Sequence, residues 1–255
     1  MLLVVDIGNT NINFGLYDEK KMIFTSGFSH HRKADLVVFE TLLSSLFSQY
    51  YVNNCIISSV ADELTEVLYT AILKILQVKA VKLTSNLKVG IKIKTKNPEN
   101  VGADRIANAL AASRLYKERP IVVIDSGTAT TFDVIDKEGN FVGGLIMPGM
   151  QMQLDALGSN TSKLPSIDIG SVKPIPNVIS DDTMGNILSG VINGHAQAVQ
   201  GLVVECEREL QEKVFVIGTG GGIQLLDKYM KDRKIDVINK NLTLDGIKMI
   251  FELNI

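Results

Sequence analysis

Two hydrophobic patterns alternate along the chain, and together they predict a mixed α/β protein. The first consists of short runs of aliphatic and β-branched residues, which are typical of buried strands. Strands of this kind are predicted at 2–5, 11–16, 22–28, 55–57, 80–83, 89–93, 121–124, 214–217 and 236–238, and a further strand-like run follows residue 128. The second pattern places apolar residues three or four positions apart, as in an amphipathic helix. Helices are predicted at 36–51, 64–76, 103–116, 182–211 and 244–252.

The polar segments between these elements indicate where the chain divides. Residues 117–120, Lys-Glu-Arg-Pro, separate a predicted helix from a predicted strand, so we expect two domains, 1–117 and 118–255. Residues 159–180 hold three of the six prolines and are expected to form an extended loop. With 255 residues, the chain is long enough for two domains of ordinary size.

One short motif occurs twice, each time directly after a predicted buried strand. The first copy is Asp6-Ile7-Gly8-Asn9-Thr10, and the second is Asp125-Ser126-Gly127-Thr128. Glycine permits a tight turn whose backbone N–H groups converge on an anion such as phosphate. A carboxylate at the strand end can face a metal ion. A third glycine turn lies at 218–222. The repeat is the main indication of two related domains.

Composition and charge exclude several classes of function. The chain has 45% hydrophobic and 21% charged residues, which favours a folded core over disorder. A formal net charge of -2 provides no basic surface for nucleic acid or an acidic membrane. No apolar run approaches the roughly 20 residues of a membrane span, and the first residues lack the features of a signal peptide. We therefore expect a soluble, cytoplasmic protein without a nucleic-acid or membrane partner.

The pair Asp104-Arg105 lies in the first turn of the predicted helix at 103–116. Unpaired N–H groups and the helix dipole favour anions at this position. Adjacent helical residues point in different directions, so Arg105 can bind a carboxylate bidentately while Asp104 faces another atom, such as a hydroxyl. The alternative is an ordinary first-turn carboxylate beside a solvated arginine, which an isolated Ala-Asp-Arg sequence would favour.

Several motifs, taken in order, resemble those of the type III pantothenate kinases, within the superfamily of acetate and sugar kinases, Hsp70 and actin. Residues 97–105 are similar to the family's pantothenate-binding motif, and residues 6–10 and 125–131 are similar to its two phosphate motifs. Further similar segments follow in the family's order at 143–149, 164–165, 183–190 and 219–221. The resemblance spans essentially the whole chain. It implies an α/β fold of two ribonuclease-H-like domains with ATP bound in the cleft between them.

The resemblance implies an enzyme that transfers the γ-phosphate of ATP to the primary hydroxyl of pantothenate, the first step of coenzyme A synthesis. It implies that Asp104 is the general base and that Arg105 binds the pantothenate carboxylate. The other implied substrate-binding residues are Thr95, Gly102, Ala103 and Thr183. The implied ATP-binding residues are Asp6, Ile7, Gly8, Asn9, Thr10, Asn11, Ile12, Asn13, Gly127, Thr128, Gly220, Gly221 and Gly222.

The resemblance also implies metal ions and a second subunit. Mg²⁺ is expected at Asp6, directly or through water, and a monovalent cation, K⁺ or NH₄⁺, is expected at Asp125. The family pairs subunits through its second domain, and the helix predicted at 182–211 offers an apolar side. We therefore expect a homodimer, which is also the commonest oligomer.

Three positions depart from the family pattern. Thr95 stands where an aromatic residue, commonly Tyr, forms one wall of the pantothenate pocket. Asp182 stands where Asn usually precedes the substrate threonine, and Ile223 replaces a small residue after the adenosine-side glycines. The sequence therefore leaves open how pantothenate and the nucleotide fit these parts of the site.

Two other functions fit the same motifs. The first is a kinase of the same superfamily that acts on another small hydroxy acid. The second is a protein that keeps the fold without turnover, as a transcriptional accessory or regulatory factor. Intact Asp6, Asp104, Arg105 and Asp125 favour an enzyme.

The remaining candidate residues carry weaker signals. His30, His31 and His195 lack the spacing of a metal site with cysteine or carboxylate partners, so they are expected on the surface or on a helix face. The methionines at 147, 150 and 152 are expected to serve in packing or in loop contacts.

Overall fold

The computed structural model describes residues 1–19, 21–30, 35–84, 86–117, 120–161, 164–171 and 178–255. The strands are β1 (Leu2–Ile7), β2 (Asn11–Asp18), β3 (Lys21–Ser29), β4 (Asn54–Ser59), β5 (Ala80–Lys82), β6 (Ile121–Ser126), β7 (Ala129–Ile135), β8 (Phe141–Pro148), β9 (Phe215–Thr219) and β10 (Val237–Ile238). The helices are α1 (Leu36–Phe47), α2 (Asp62–Leu76), α3 (Ala103–Leu115), α4 (Met150–Asn160), α5 (Thr183–Leu210), α6 (Ile223–Tyr229) and α7 (Leu242–Glu252). None of the helices described is long and apolar enough to cross a membrane.

The chain forms two compact units, each built on one five-stranded sheet. Unit 1 comprises Met1–Ala111 and Asn241–Ile255, and unit 2 comprises Ala112–Lys240. The strand order is β3-β2-β1-β4-β5 in unit 1 and β10-β9-β6-β7-β8 in unit 2. This arrangement confirms the expected α/β fold class with two ribonuclease-H-like domains.

The central strand of unit 1, β1, is covered on both faces. It pairs antiparallel with β2 and parallel with β4. Leu3 and Val5 lie in a core cluster with α1 and α2, whereas Val4 lies in a second cluster with α3 and α7. A strand that is buried on both faces needs apolar residues at consecutive positions, which explains the unbroken apolar run at the start of the sequence.

Unit 2 repeats this construction. Its central strand, β6, pairs antiparallel with β7 and parallel with β9, as β1 does with β2 and β4. Helices α4, α5 and α6 contribute Leu154, Val199 and Leu226 to its core cluster. Asp6 and Asp125 are each the second-last residue of their central strand. The motif that occurs twice in the sequence therefore lies at the same place in two similar sheets.

The two units differ from the expected domains 1–117 and 118–255, mainly because α7 packs with the N-terminal unit. It buries Leu244 and Ile247 in the cluster that contains Val4 of β1 and Leu110 of α3, so the C-terminal segment belongs to unit 1. Gly246 permits this packing, because a Cβ there would lie 2.0 Å from the carbonyl oxygen of Ala107. The other boundary lies within α3, after Ala111, rather than after residue 117.

Most of the predicted elements are present, with a few differences. The strand predicted at 89–93 is absent, because Val89 and Ile91 pack against the core without a partner strand and Ile93 makes an isolated bridge. The helices α4 and α6 and the strand β8 were not predicted. Residues 162–163 and 172–177 of the predicted loop at 159–180 lie outside the described residues.

Candidate active site

The first phosphate loop connects β1 to β2. The Gly8 N–H donates to the Asn11 carbonyl oxygen at 2.9 Å and closes a tight turn, which leaves Asn9 and Thr10 exposed. Ile7 and Ile12, at the ends of the loop, are fully buried. These two residues can therefore offer a nucleotide only backbone groups, and their side chains fix the loop to the core.

His30 supports this loop, although the sequence suggested a surface histidine. Its backbone N–H donates to the Thr10 carbonyl oxygen at 2.9 Å, and its Nε2 lies 3.1 Å from the Gly8 carbonyl oxygen. A carbonyl oxygen only accepts, so Nε2 is the protonated nitrogen of this ring. The residue is buried, with 5% of its surface exposed. His31 lies outside the described residues.

The Asp104 carboxylate is fixed at the start of α3. Its Oδ1 accepts the Arg105 backbone N–H at 2.8 Å. A Cβ at Gly102 would lie 2.5 Å from the same Oδ1, so a glycine is needed for the carboxylate to take this position. Asp104 and Arg105 are both half-buried. The described residues include no group of three or more His, Cys, Asp or Glu that could hold a metal ion.

Thr95 precedes this helix and has an unusual environment. Its hydroxyl oxygen is buried and has no hydrogen-bond partner among the described residues. A buried, unsatisfied hydroxyl costs on the order of 1–3 kcal/mol. At this position, which departs from the family pattern, the hydroxyl oxygen is thus covered by other atoms of the protein, while the residue as a whole is half-buried.

The second phosphate loop connects β6 to β7 in unit 2. The Gly127 N–H donates to the Ala129 carbonyl oxygen at 3.0 Å, and the Gly149 N–H donates to the Thr128 carbonyl oxygen at 3.1 Å. A Cβ at Gly149 would lie 2.4 Å from that Thr128 oxygen, so any side chain there would displace the loop. Gly149 was part of a motif in the sequence, but its role in holding the loop was not foreseen.

The third glycine turn lies against the second phosphate loop. The β6–β9 register pairs Asp125 with Thr219, and the Gly222 N–H donates to the Ser126 carbonyl oxygen at 2.8 Å. Gly220 has φ of +86°, and a Cβ there would lie 2.4 Å from Asp125 Oδ1. The structure therefore brings together two of the segments that were predicted to bind ATP.

Two of the positions that depart from the family pattern have simple structural explanations. Asp182 caps α5, since its Oδ1 accepts the Gly185 N–H at 2.8 Å, and Asp and Asn are equally good caps. Thr183, the first residue of α5, is exposed. Ile223 is fully buried in the core of unit 2, so its side chain does not extend to the surface of the glycine turn.

His195, on α5, is also buried rather than on the surface. It contacts Thr130 of β7 and Gln153 of α4, with 1% of its surface exposed. Burial lowers the pKa of its imidazole below the ordinary 6.5. A single histidine in a sequence carries no signal of such contacts, because they come from strands and helices far apart in the chain.

The model of the type III pantothenate kinase family matches residues 2–205. The chain belongs to this family. It is therefore an ATP-dependent kinase that phosphorylates pantothenate in coenzyme A biosynthesis, as the motifs predicted. The family match covers both phosphate loops, the Asp104-Arg105 pair and most of α5.

Three solved structures are similar over nearly the whole chain. One, from Campylobacter jejuni, is assigned to the Baf family of transcriptional activators; it is 22% identical, with a TM-score of 0.59 and coverage of 98% of this chain and 97% of that chain. The ethanolamine utilization protein EutJ from Carboxydothermus hydrogenoformans is 15% identical, with a TM-score of 0.59 and coverage of 97% and 89%. The activator of 2-hydroxyisocaproyl-CoA dehydratase from Clostridium difficile, with bound ADPNP, is 12% identical, with a TM-score of 0.56 and coverage of 99% and 95%. At these identities the similarity shows the fold alone.

Proposed function

We propose that this pantothenate kinase uses Asp104 as the general base that accepts the proton of the primary hydroxyl of pantothenate. The observation that carries this assignment is the geometry around Asp104. Oδ1 is engaged by the Arg105 N–H, and Oδ2 has no hydrogen-bond partner among the described residues. A carboxylate held through one oxygen presents the other in a fixed direction, which suits it to orient a hydroxyl.

Positioning is the main requirement for this chemistry. Phosphoryl transfer passes through a loose transition state, so alignment and charge neutralisation contribute more than the strength of the base. The proton moves from the hydroxyl to Asp104 as the hydroxyl oxygen bonds to the γ-phosphorus and ADP leaves. The Arg105 guanidinium would bind the pantothenate carboxylate, with Thr95, Gly102, Ala103 and Thr183 completing the substrate site.

The two loops and the third glycine turn would bind ATP. Residues 6–13 would contact its phosphates in unit 1, and Gly127, Thr128 and residues 220–222 would contact it in unit 2. The exposed residues of the first loop and the close packing of the second loop on Gly220 support this assignment. The ADPNP bound to the structurally similar dehydratase activator is compatible with it.

The residues present fit the expected metal ions. Mg²⁺ usually binds one or two carboxylates together with nucleotide phosphates, and Asp6 would supply such a carboxylate, directly or through water. Asp125 Oδ1 and the Ser126 carbonyl oxygen both lie beside Gly220, where hard oxygen ligands suit K⁺ or NH₄⁺. When bound, these cations would neutralise charge on the ATP phosphates.

We also propose a homodimer in the cytoplasm, with no nucleic-acid or membrane partner. Unit 2 exposes apolar side chains, among them Ile146, Val178 and Ile179, which support a protein interface. Light scattering at micromolar concentration should give the mass of a dimer, and the mass of a monomer would contradict this proposal.

A coupled ADP-release assay tests the catalytic proposal. Pantothenate should stimulate ADP release when Mg²⁺ and K⁺ are present, and replacing K⁺ with Na⁺ should lower the rate. Turnover with another small hydroxy acid but not with pantothenate would favour the rival kinase. Absence of turnover with every acceptor would favour a non-catalytic accessory protein. Equal rates of ADP release in Na⁺ and in K⁺ would contradict the assignment of a K⁺ or NH₄⁺ ion to Asp125.

A further inference from the structure

His195 occupies the centre of a polar network in unit 2, in which His195 and Thr130 are buried and Gln153 is half-buried. Its Nε2 lies 3.0 Å from Thr130 Oγ1, on the strand that leaves the second phosphate loop. Its Nδ1 lies 2.8 Å from Gln153 Nε2, in the first turn of α4. The same Gln153 nitrogen donates to the Pro148 carbonyl oxygen at 2.9 Å. Three elements, β7, α4 and α5, therefore meet at one imidazole.

The hydrogen bonds assign the protonation state of His195. The Gln153 side-chain nitrogen has two protons and only donates. One proton goes to the Pro148 carbonyl oxygen, and the other goes to Nδ1, which must therefore be unprotonated. Nε2 then carries the ring proton and donates it to Thr130 Oγ1. The lowered pKa of the buried imidazole agrees with this neutral form.

The network connects to further hydrogen bonds around residues 128–130, where the second phosphate loop continues into β7. The Thr128 carbonyl oxygen accepts the Gly149 N–H, and the Gly149 carbonyl oxygen accepts the Gln153 N–H at 3.1 Å. Gln153 contacts His195, and His195 contacts Thr130, two residues after Thr128. The backbone between Thr130 and Thr128 closes these contacts into a ring, and the imidazole is the member that comes from a distant part of the chain.

We propose that His195 is a positioning residue for ATP binding, which holds Thr128 and the second phosphate loop through Thr130 and Gln153. This inference rests on the proposed contact between Thr128 and ATP. A largely buried network of this kind has strict geometric requirements, since each member must be satisfied. An apolar side chain would fill the same space but would leave Thr130 and Gln153 without their partner.

The test compares His195→Leu with a matched control on the same helix. Gln200 is also buried in α5, with 5% exposed, and its Oε1 accepts the N–H groups of Lys231 and Asp232. We expect His195→Leu to raise the KM for ATP about tenfold, or about 1.4 kcal/mol, and to change the KM for pantothenate less than about twofold. Gln200→Met should lower the melting temperature without a change in the KM for ATP.

Two further variants allow the proposal to be tested even if His195→Leu does not fold. Thr130→Val keeps the shape and removes the hydroxyl, so it should raise the KM for ATP in the same direction. His195→Gln keeps one donor and one acceptor at a similar reach, so it should restore part of the loss. An equal change in both KM values, or the same profile for His195→Leu and Gln200→Met, would overturn the proposal.

Calorimetric titration with ADPNP and Mg²⁺ separates this inference from the proposed reaction. If the wild-type chain binds ADPNP but does not phosphorylate pantothenate, the reaction is wrong and the His195 proposal is still tested by the affinity of the variants. Weaker ADPNP binding by His195→Leu supports the proposal. Unchanged affinity, or no binding by the wild-type chain, overturns it.

Discussion

The two phosphate loops share a sequence pattern and a place in the sheet, but they are held in different ways. In unit 1, the carbonyl oxygens of Gly8 and Thr10 are held by His30 at the end of β3. In unit 2, the loop is enclosed by Gly149 and Gly220, where no side chain would fit. The first loop thus has one carbonyl oxygen held directly by the His30 side chain. The second loop has no room for side chains at its neighbouring glycines, and His195 reaches it only through Thr130 and Gln153.

This difference shows that two loops with the same fold need not tolerate the same substitutions. A side chain that supports a loop can be replaced by another of similar reach, at a cost of about one hydrogen bond. A glycine that leaves room for a carboxylate or a carbonyl oxygen cannot be replaced without moving that group. The first loop should therefore accept changes that the second does not.

The largest expected effect concerns the helices that follow each sheet. Asp104 lies in the first turn of α3, after β5, and Asp245 lies in the first turn of α7, after β10. Asp245 Oδ1 accepts the Tyr17 hydroxyl at 2.8 Å, a structural use of the same position. Asp104→Asn should lower kcat by a factor on the order of 10²–10⁴, whereas Asp245→Asn should mainly lower the melting temperature. Similar kcat values for the two variants in the ADP-release assay would contradict the assignment of Asp104.

The next effect compares one glycine from each phosphate site. Gly220→Ala places a Cβ 2.4 Å from Asp125 Oδ1 at φ of +86°, which should cost about 1–3 kcal/mol. We expect the KM for ATP to rise about tenfold or more and the dependence on K⁺ to weaken. Gly8→Ala meets only the Asn11 carbonyl oxygen at 3.2 Å and should raise the KM less than about threefold. If Gly8→Ala proved the more harmful, the comparison of the loops would be reversed.

A smaller effect is expected at His30. His30→Ala removes the donor to the Gly8 carbonyl oxygen and should raise the KM for ATP about fivefold, from the loss of about 1 kcal/mol. His30→Gln can keep a donor and should lose less. The KM for ATP of both variants, measured at constant pantothenate, provides the check. Equal losses would show that packing, rather than the hydrogen bond, supports the loop.

The smallest effect is a pH dependence of stability at His195. Burial lowers the pKa of its imidazole below 6.5, so the unfolded chain binds the proton more readily than the folded chain. This contribution to stability is present above pH 6.5 and is lost as the pH falls toward the lowered pKa. Between pH 7.5 and 5.5, wild type should lose more unfolding free energy than His195→Gln, which has no imidazole to titrate. If urea unfolding gave the same decrease in unfolding free energy for both proteins between these pH values, the prediction would be wrong.

The sequence predicted the repeated scaffold because its signals are local. A run such as Ile121–Ile124 followed by an aspartate and a glycine specifies a buried strand and a turn within a few residues. The first turn of α3, with Asp104 and Arg105, was predicted for the same reason. These features depend on neighbours in the sequence.

The features that the sequence did not predict depend on distant contacts. His30 and His195 serve as supports only because other elements fold against them. Helix α4 buries Met150 and Leu154 and is otherwise mostly polar, so its periodicity is weak. The segment at 89–93 alternates like a strand, but it packs its apolar residues against the core and makes only an isolated bridge at Ile93 instead of a strand. Packing partners, rather than pattern, decide these cases.

The position of α7 has a consequence for the order in which the two units fold. Residues 242–252 follow the whole of unit 2 in the chain, yet they cover Val4 of β1 and contact the helix that carries Asp104. Domains generally fold as they emerge, from the N-terminus onward. Unit 2 can complete its core before α7 is synthesised, whereas unit 1 keeps one face of β1 uncovered until Gly246 reaches Ala107. The unit that is made first is therefore the unit that finishes folding last.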